Sequence, residues 1–299
     1  MKHTLQIAAR SDRVLQAIGL MCLYVSLIVF VNAGGKVLSA TAHPFQIVFF
    51  RHGGAAVFMT TAFLLRYGWP VLAARRPGLQ MVRGVFAIAS SFLYFTALVS
   101  TSLATAAAIS FTAPLVVTAL SAPLLKERVS PYLWAAVAVG FAGALIIVRP
   151  GTGDASNRGA AMLVGSACCT AIYQIVTRML AGQDRAETTT IWTTCVSGTV
   201  ATLAVLWIWK TPPSAGLWAL SLAMGLIGGT GHFLLAKAFE RGPASLLAPF
   251  NYLQLVGATV IGFGLYGDLP DNITWIGAAA IVAAGLYIAW RERRERRGR

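Results

Sequence analysis

Two stretches decide the fold: LVSTSLATAAAISFTAPLVVTALSAPLLKERVSPYLWAAVAVGFAGALIIVRP, from Leu98 to Pro150, and FERGPASLLAPFNYLQLVGATVIGFGLYGDLPDNITWIGAAAIVAAGLYIAW, from Phe239 to Trp290. In the first, an apolar run reaches Lys126-Glu127-Arg128, then Ser130-Pro131 and Trp134, and a second apolar run closes at Arg149-Pro150. The second repeats that order. Trp134 meets Trp275 at an offset of 275 − 134 = 141, and the same offset sets Glu127 on Asp268, Gly84 on Gly225, Ala97 on Ala238 and Ala107 on Ala248. An offset of 178 − 36 = 142 carries the match back to the first spans, where Asn32 and Lys36 meet Gln174 and Arg178. Internal duplication in so apolar a chain points to a membrane carrier built from two repeats.

Composition narrows the class further. Hydrophobic residues make up 57% of the chain and charged ones 11%, against about 25% charged in soluble domains, so the chain reads as a polytopic membrane protein. A net charge of +14 would suit nucleic acid, but the basic residues stand between apolar runs and in the tail RERRERRGR. They read as orientation signals and contacts to anionic lipid headgroups, and no nucleic-acid partner is expected. The four cysteines, Cys22, Cys168, Cys169 and Cys195, all lie within apolar runs and form neither a disulfide framework nor a metal pattern. The first apolar run, Val14 to Val31, is longer than a signal-peptide core and is expected to stay as the first span.

Ten stretches are long enough to cross a hydrocarbon layer about 30 Å thick: Val14–Gly35, Pro44–Leu65, Met81–Leu98, Leu103–Leu125, Tyr132–Val148, Gly159–Leu180, Thr188–Trp209, Leu217–Ala238, Ala244–Tyr266 and Ile273–Trp290. All must be helical, because lipid offers an open backbone no partner. One side of the membrane gathers 19 of the 24 Lys and Arg residues, Arg83 counted among these flanking charges, while Lys36, Arg149, Arg158 and Lys210 fall on the other and Arg51 inside a span. The positive-inside rule then puts both termini in the cytoplasm of a multi-pass protein of the cytoplasmic (inner) membrane. Residues 14–149 and 159–290 each hold five spans, an odd number, so the second unit runs inverted relative to the first, around a central cavity.

With these elements in place the sequence resembles the EamA-type drug/metabolite transporter superfamily, nearest to its bacterial exporters of aromatic amino acids. The features that carry the resemblance are LKERVSP after the fourth span, YGDLPD after the ninth, HPFQIVFFR opening the second, and GLIGGTGHFLLAKAFERGPASLLAPFNYLQLVGATV through the eighth and ninth. It implies a basket-like bundle whose cavity is lined mainly by the first, third, fourth, sixth, eighth and ninth spans.

Polar side chains inside a span need a reason. Asn32, Gln174, Asn251 and Gln254 are amides on central spans, able to donate to an anion and accept from a cation. Tyr24, Ser90, Ser91, Tyr94, Tyr173, His232 and Tyr252 supply hydroxyls, an imidazole and ring faces for an ammonium group. Each could equally serve only helix-to-helix hydrogen bonding. Arg51 reads either as bonded to a backbone carbonyl or snorkelling to headgroups, or as the counter-ion of a substrate carboxylate. Pro114 and Pro249 interrupt central spans and are candidate hinges. Glu127 and Asp268 fall at opposite faces and suit helix capping.

The functional expectation is a transporter exporting small metabolites, amino acids first (aromatic and other neutral ones), by alternating access. No Asp or Glu lies deep in a proposed span, so facilitated diffusion or exchange is expected, with His232 the one credible proton site. No cofactor, no metal and no catalytic residue is implied. An exporter of cationic drugs is the alternative within carriers. An intramembrane enzyme or a sensory membrane protein is the alternative outside them, though no GxSxG or HExxH stands in the chain. The oligomeric state stays open, with a monomer the simplest unit.

Overall fold

The computed structural model describes residues 2–125, 131–148, 155–242, 247, 250–251, 253–267 and 269–297. Among these residues every regular element is helical. Helix α1 (Lys2–Leu38) is the first span, and the second runs through α2 (Pro44–Val48), a π-helical turn (Phe49–Gly53) and α3 (Gly54–Tyr67). Helix α4 (Pro77–Ala97) is the third, α5 (Leu103–Ser110) with α6 (Thr112–Leu125) the fourth, and α7 (Pro131–Val148) the fifth. Helices α8 (Ala155–Leu180), α9 (Ala186–Val205), α10 (Ala215–Arg241), α11 (Leu253–Tyr266) and α12 (Asn272–Arg297) follow. Five of these spans, Leu15–Leu38, Pro44–Tyr67, Pro77–Ala97, Arg158–Leu180 and Ala215–Arg241, are long and apolar enough by themselves to cross a membrane.

Local sequence explains the boundaries. Pro44 and Pro77 open their helices, where a missing N–H costs nothing. Ser102 and Ser214 cap α5 and α10 by accepting from Thr105 N and Leu217 N. The fourth span breaks at Phe111, three residues before Pro114, which has no N–H to give the Ser110 carbonyl. Pro114 therefore sits in the first turn of α6. Pro249 and the Glu127 and Asp268 turns lie outside the described residues.

The spans pack in a regular scheme: first on eighth, third on sixth, second on seventh, fifth on tenth, with the fourth and ninth also touching. Contacts are close where a residue lacks a side chain. Gly84 of α4 lies against Val196 of α9, and Gly225 of α10 lies against Gly54 of α3, a Cβ there falling 2.8 Å from both Gly54 Cα and the Phe50 carbonyl oxygen. In lipid such small-residue contacts, rather than water exclusion, hold helices together. Outward surfaces are apolar, with Leu203, Val260 and Ile276 exposed.

One assignment from sequence needs correction. Arg83 is not a headgroup charge: it is fully buried in the second turn of α4. Its Nε donates to Thr177 Oγ1 (2.7 Å), Nη1 to the Thr189 carbonyl (3.0 Å) and to Thr193 Oγ1, and Nη2 to Tyr173 Oη (2.8 Å). Those threonines belong to α8 and α9.

Candidate functional site

A cavity of about 120 Å³ opens between the first, second, third, fourth, sixth and ninth spans. It gathers Tyr24, Asn32, Ser90, Ser91, Tyr94, Gln174, Asn251 and Gln254, eight of the eleven residues that sequence singled out for substrate, together with Arg51 and Pro114. Tyr252 lies outside the described residues. Tyr173 and His232 do not line the cavity: they stand behind its wall in the Arg83 network, where Tyr173 Oη meets His232 Nδ1 at 3.1 Å. Ser110, Ser166 and Thr170 line it without having been singled out. Ser90 Oγ bonds Thr170 Oγ1 (2.6 Å) and Ser166 Oγ (3.1 Å), so this wall is a hydroxyl cluster tying α4 to α8.

Among the described residues, the second span supplies the one cation on the wall. Its π-turn, Phe49–Gly53, widens the helix by one residue, a distortion concentrated at functional sites, and both Arg51 and His52 are buried there. Glycines clasp this turn from two sides. A Cβ on Gly198 of α9 would lie 3.2 Å from the His52 carbonyl oxygen, and Gly225 of α10 presses on Phe50 and Gly54 as described. The backbone that presents Arg51 and His52 is therefore held between two helices.

Arg51 is 8% exposed. Of the two structural readings from sequence, neither a carbonyl bond nor snorkelling is seen among the described residues: the guanidinium stands 5.6 Å over the Phe95 ring, and its Nε is buried without a hydrogen-bond partner. His52 is satisfied at both nitrogens, Nδ1 by Ser197 Oγ (2.9 Å) and Nε2 by Ser91 Oγ (2.8 Å). Ser197 gives its proton to the Thr193 carbonyl (2.5 Å). It therefore accepts from His52 Nδ1–H, which leaves Nε2 to accept from Ser91. Ser91 spends its proton on His52 and turns oxygen lone pairs toward the cavity. The wall thus has an acceptor pole at Ser91 and a cationic donor pole at Arg51, with neutral amides around them. Among the described residues no group of His, Cys, Asp and Glu could hold a metal ion.

Three of the described acids, Asp184, Glu187 and Glu240, sit at or beside helix ends. Glu187, at the start of α9, pairs with Lys237 (3.0 Å), which also reaches Glu240 (3.1 Å). Asp184 accepts from Gln80 Nε2 (2.9 Å) and Arg75 N (2.8 Å). Ser91 and Arg83 are eight residues apart on α4, so the Arg83 network lies about 12 Å along the helix from Ser91.

Comparison with known proteins agrees with this architecture. The chain is 31% identical over 261 residues to the riboflavin transporter of Rhizobium johnstonii, covering 86% of this chain and 85% of that protein. It is 27% identical over 259 residues to the S-adenosylmethionine uptake transporter of Rickettsia prowazekii, covering 87% of each. It is 28% identical over 259 residues to the pseudopaline exporter of Pseudomonas aeruginosa, covering 86% of this chain and 90% of that one. A solved crystal structure superposes with a TM-score of 0.65 at 21% identity, covering 95% of this chain and 98% of its own, which shows the shared fold. The EamA-like transporter family model matches twice, over residues 15–149 and 157–290. On that evidence the chain is a membrane protein of the EamA-like transporter family.

Proposed function

We propose that the chain exports small zwitterionic metabolites, amino acids first among them, by alternating access between two oppositely oriented five-span units, residues 14–149 and 159–290, with both termini cytoplasmic. The packing scheme supports the two-unit reading. Adding five to each span turns the first-on-eighth contact into sixth-on-third, and leaves second-on-seventh, fourth-on-ninth and fifth-on-tenth as they are. Gly84 on Val196 mirrors Gly225 on Gly54, at offsets of 141 and 142.

The substrate class rests on one observation: an unpaired guanidinium, Arg51, shares a small cavity with an acceptor hydroxyl, Ser91, and with the amides of Asn32, Gln174 and Gln254. A carboxylate suits the first and an ammonium the second. A cationic drug would meet Arg51 and, among the described residues, no acid on this wall. The relatives' names span uptake and export of different compounds, so the lining of the cavity is what favours a zwitterion. The volume, below the roughly 300 Å³ of the smallest drug-sized pockets, favours a small substrate. The test is counterflow of radiolabelled amino acids in proteoliposomes. Accumulation driven by unlabelled amino acid on the far side supports the reading, and no accumulation above protein-free liposomes for any of the twenty refutes it. The same result separates a carrier from an intramembrane enzyme or a sensor.

A further inference from the structure

We infer that His232 and Arg51 together form a two-donor site for an oxyanion, with His232 held as a donor by Arg83 acting through Tyr173. The identity of that oxyanion as the substrate's own carboxylate rests on the carrier reading above. The assignment follows from counting hydrogens. Arg83 never gives up its proton, so Tyr173 Oη accepts from Arg83 Nη2 at 2.8 Å. The hydroxyl hydrogen then has His232 Nδ1, at 3.1 Å, as its acceptor. The reverse assignment, with Nδ1–H donating to Oη, leaves two buried orphans, the hydroxyl hydrogen and the Nε2 lone pair. The first leaves one. His232 therefore carries its proton on Nε2, and that N–H is buried with no acceptor.

Arg51 Nε–H is a second buried donor in the same condition. The fold brings the two together. A Cβ on Gly228 would stand 3.2 Å from Arg51 Cγ and 3.9 Å from Arg51 Nε, and His232 is one turn further along the same face of α10. His52, next in sequence to Arg51, places its ring 5.5 Å from that of His232. A Cβ on Gly231, next to His232, would stand 3.6 Å from the ring of Tyr24, and Tyr24 lines the cavity, so His232 lies just behind the cavity wall. Water would satisfy both donors but leave Arg51 without a counter-charge, which an oxyanion supplies while accepting from both. Arg83 and Tyr173 are positioning residues, since they act through His232.

The test uses the full chain in lipid nanodiscs with isotope-labelled histidine, read by NMR, with H232Q identifying the His232 signals. The expected result is a neutral Nε2–H tautomer whose signals shift with acetate or inorganic phosphate and not with acetamide. Which anion acts tells a carboxylate site from a phosphate site. Y173F is expected to release the tautomer into a mixture. In counterflow, H232L should raise the amino-acid KM about tenfold or more, as loss of a charge-assisted hydrogen bond does, and H232Q, which keeps an N–H there, should stay within about threefold. An Nδ1–H tautomer, an equal response to acetamide, or an unchanged KM in H232L would overturn the inference. If no amino acid is carried while tautomer and anion response are as stated, the proposed substrate fails and the site stands. If amino acids are carried while His232 ignores oxyanions, the reverse holds.

Discussion

Gly225→Ala tests whether the clasp on the π-turn positions the site. The added methyl carbon would lie 2.8 Å from Gly54 Cα and from the Phe50 carbonyl oxygen, against an ordinary closest contact of 3.4 Å, so α10 and the turn must separate by about 3.4 − 2.8 = 0.6 Å. Both colliding atoms are backbone, so no rotamer change relieves the overlap. Overpacking of this kind costs about 1–3 kcal/mol. The larger effect falls on function, because the displaced turn carries Arg51 and His52, and a misplacement approaching 1 Å costs up to about a hundredfold in rate. Transport of amino acid should therefore fall at least about tenfold, with the thermal midpoint in nanodiscs lowered by several degrees. Gly264→Ala is the control: nothing lies within 4 Å of its Cβ, and alanine is up to about 1 kcal/mol better than glycine in a helix. Wild-type transport and stability in Gly225→Ala would refute the positioning argument.

Three further changes probe other parts of the account. Arg51→Met should abolish carboxylate-dependent transport and yet raise stability by about 1–3 kcal/mol, because an arginine deep in a span costs on that order, measured by thermal unfolding in nanodiscs. Lys36→Met should lower stability by about 1–2 kcal/mol, since Lys36 Nζ donates to the Leu98 (2.6 Å) and Thr101 (2.8 Å) carbonyls and so ties the first span to the end of the third. Lys237→Met strands the buried Glu187; adding Glu187→Gln should recover about 1–2 kcal/mol of the loss, and additive losses in the double-mutant cycle would contradict the ion pair's role.

Most span positions were legible because length, proline and glycine act locally. Pro44 and Pro77 open helices, and Gly68 and Gly267, with φ of 69° and 67°, close them. Amides such as Asn32 and Gln254 were legible as cavity residues because an amide on an apolar helix must find a polar neighbour. Ser110 was not, since a hydroxyl on a helix satisfies itself on a nearby carbonyl, as Ser110 does on Ala106; nor was Ser166, whose partner carbonyl, Ser90, lies 76 residues away. Arg83 misled because its position, six residues after Pro77, looks like a headgroup flank. What buries it are Thr177, Thr189, Thr193 and Tyr173, roughly a hundred residues away, and no window along the chain shows that pairing. The π-turn was invisible for the same reason: the helices that pack against FFRHG at Gly198 and Gly225 lie far along the chain.

The most direct test of the account is competition between leucine and leucinamide for counterflow in proteoliposomes, with wild-type protein and Arg51→Gln side by side. The account predicts that the amide, lacking the carboxylate, competes at least about tenfold more weakly in the wild type, as loss of a charge-assisted pair implies, and that the difference collapses in Arg51→Gln. Equal competition in the wild type, or full discrimination retained by Arg51→Gln, would contradict it.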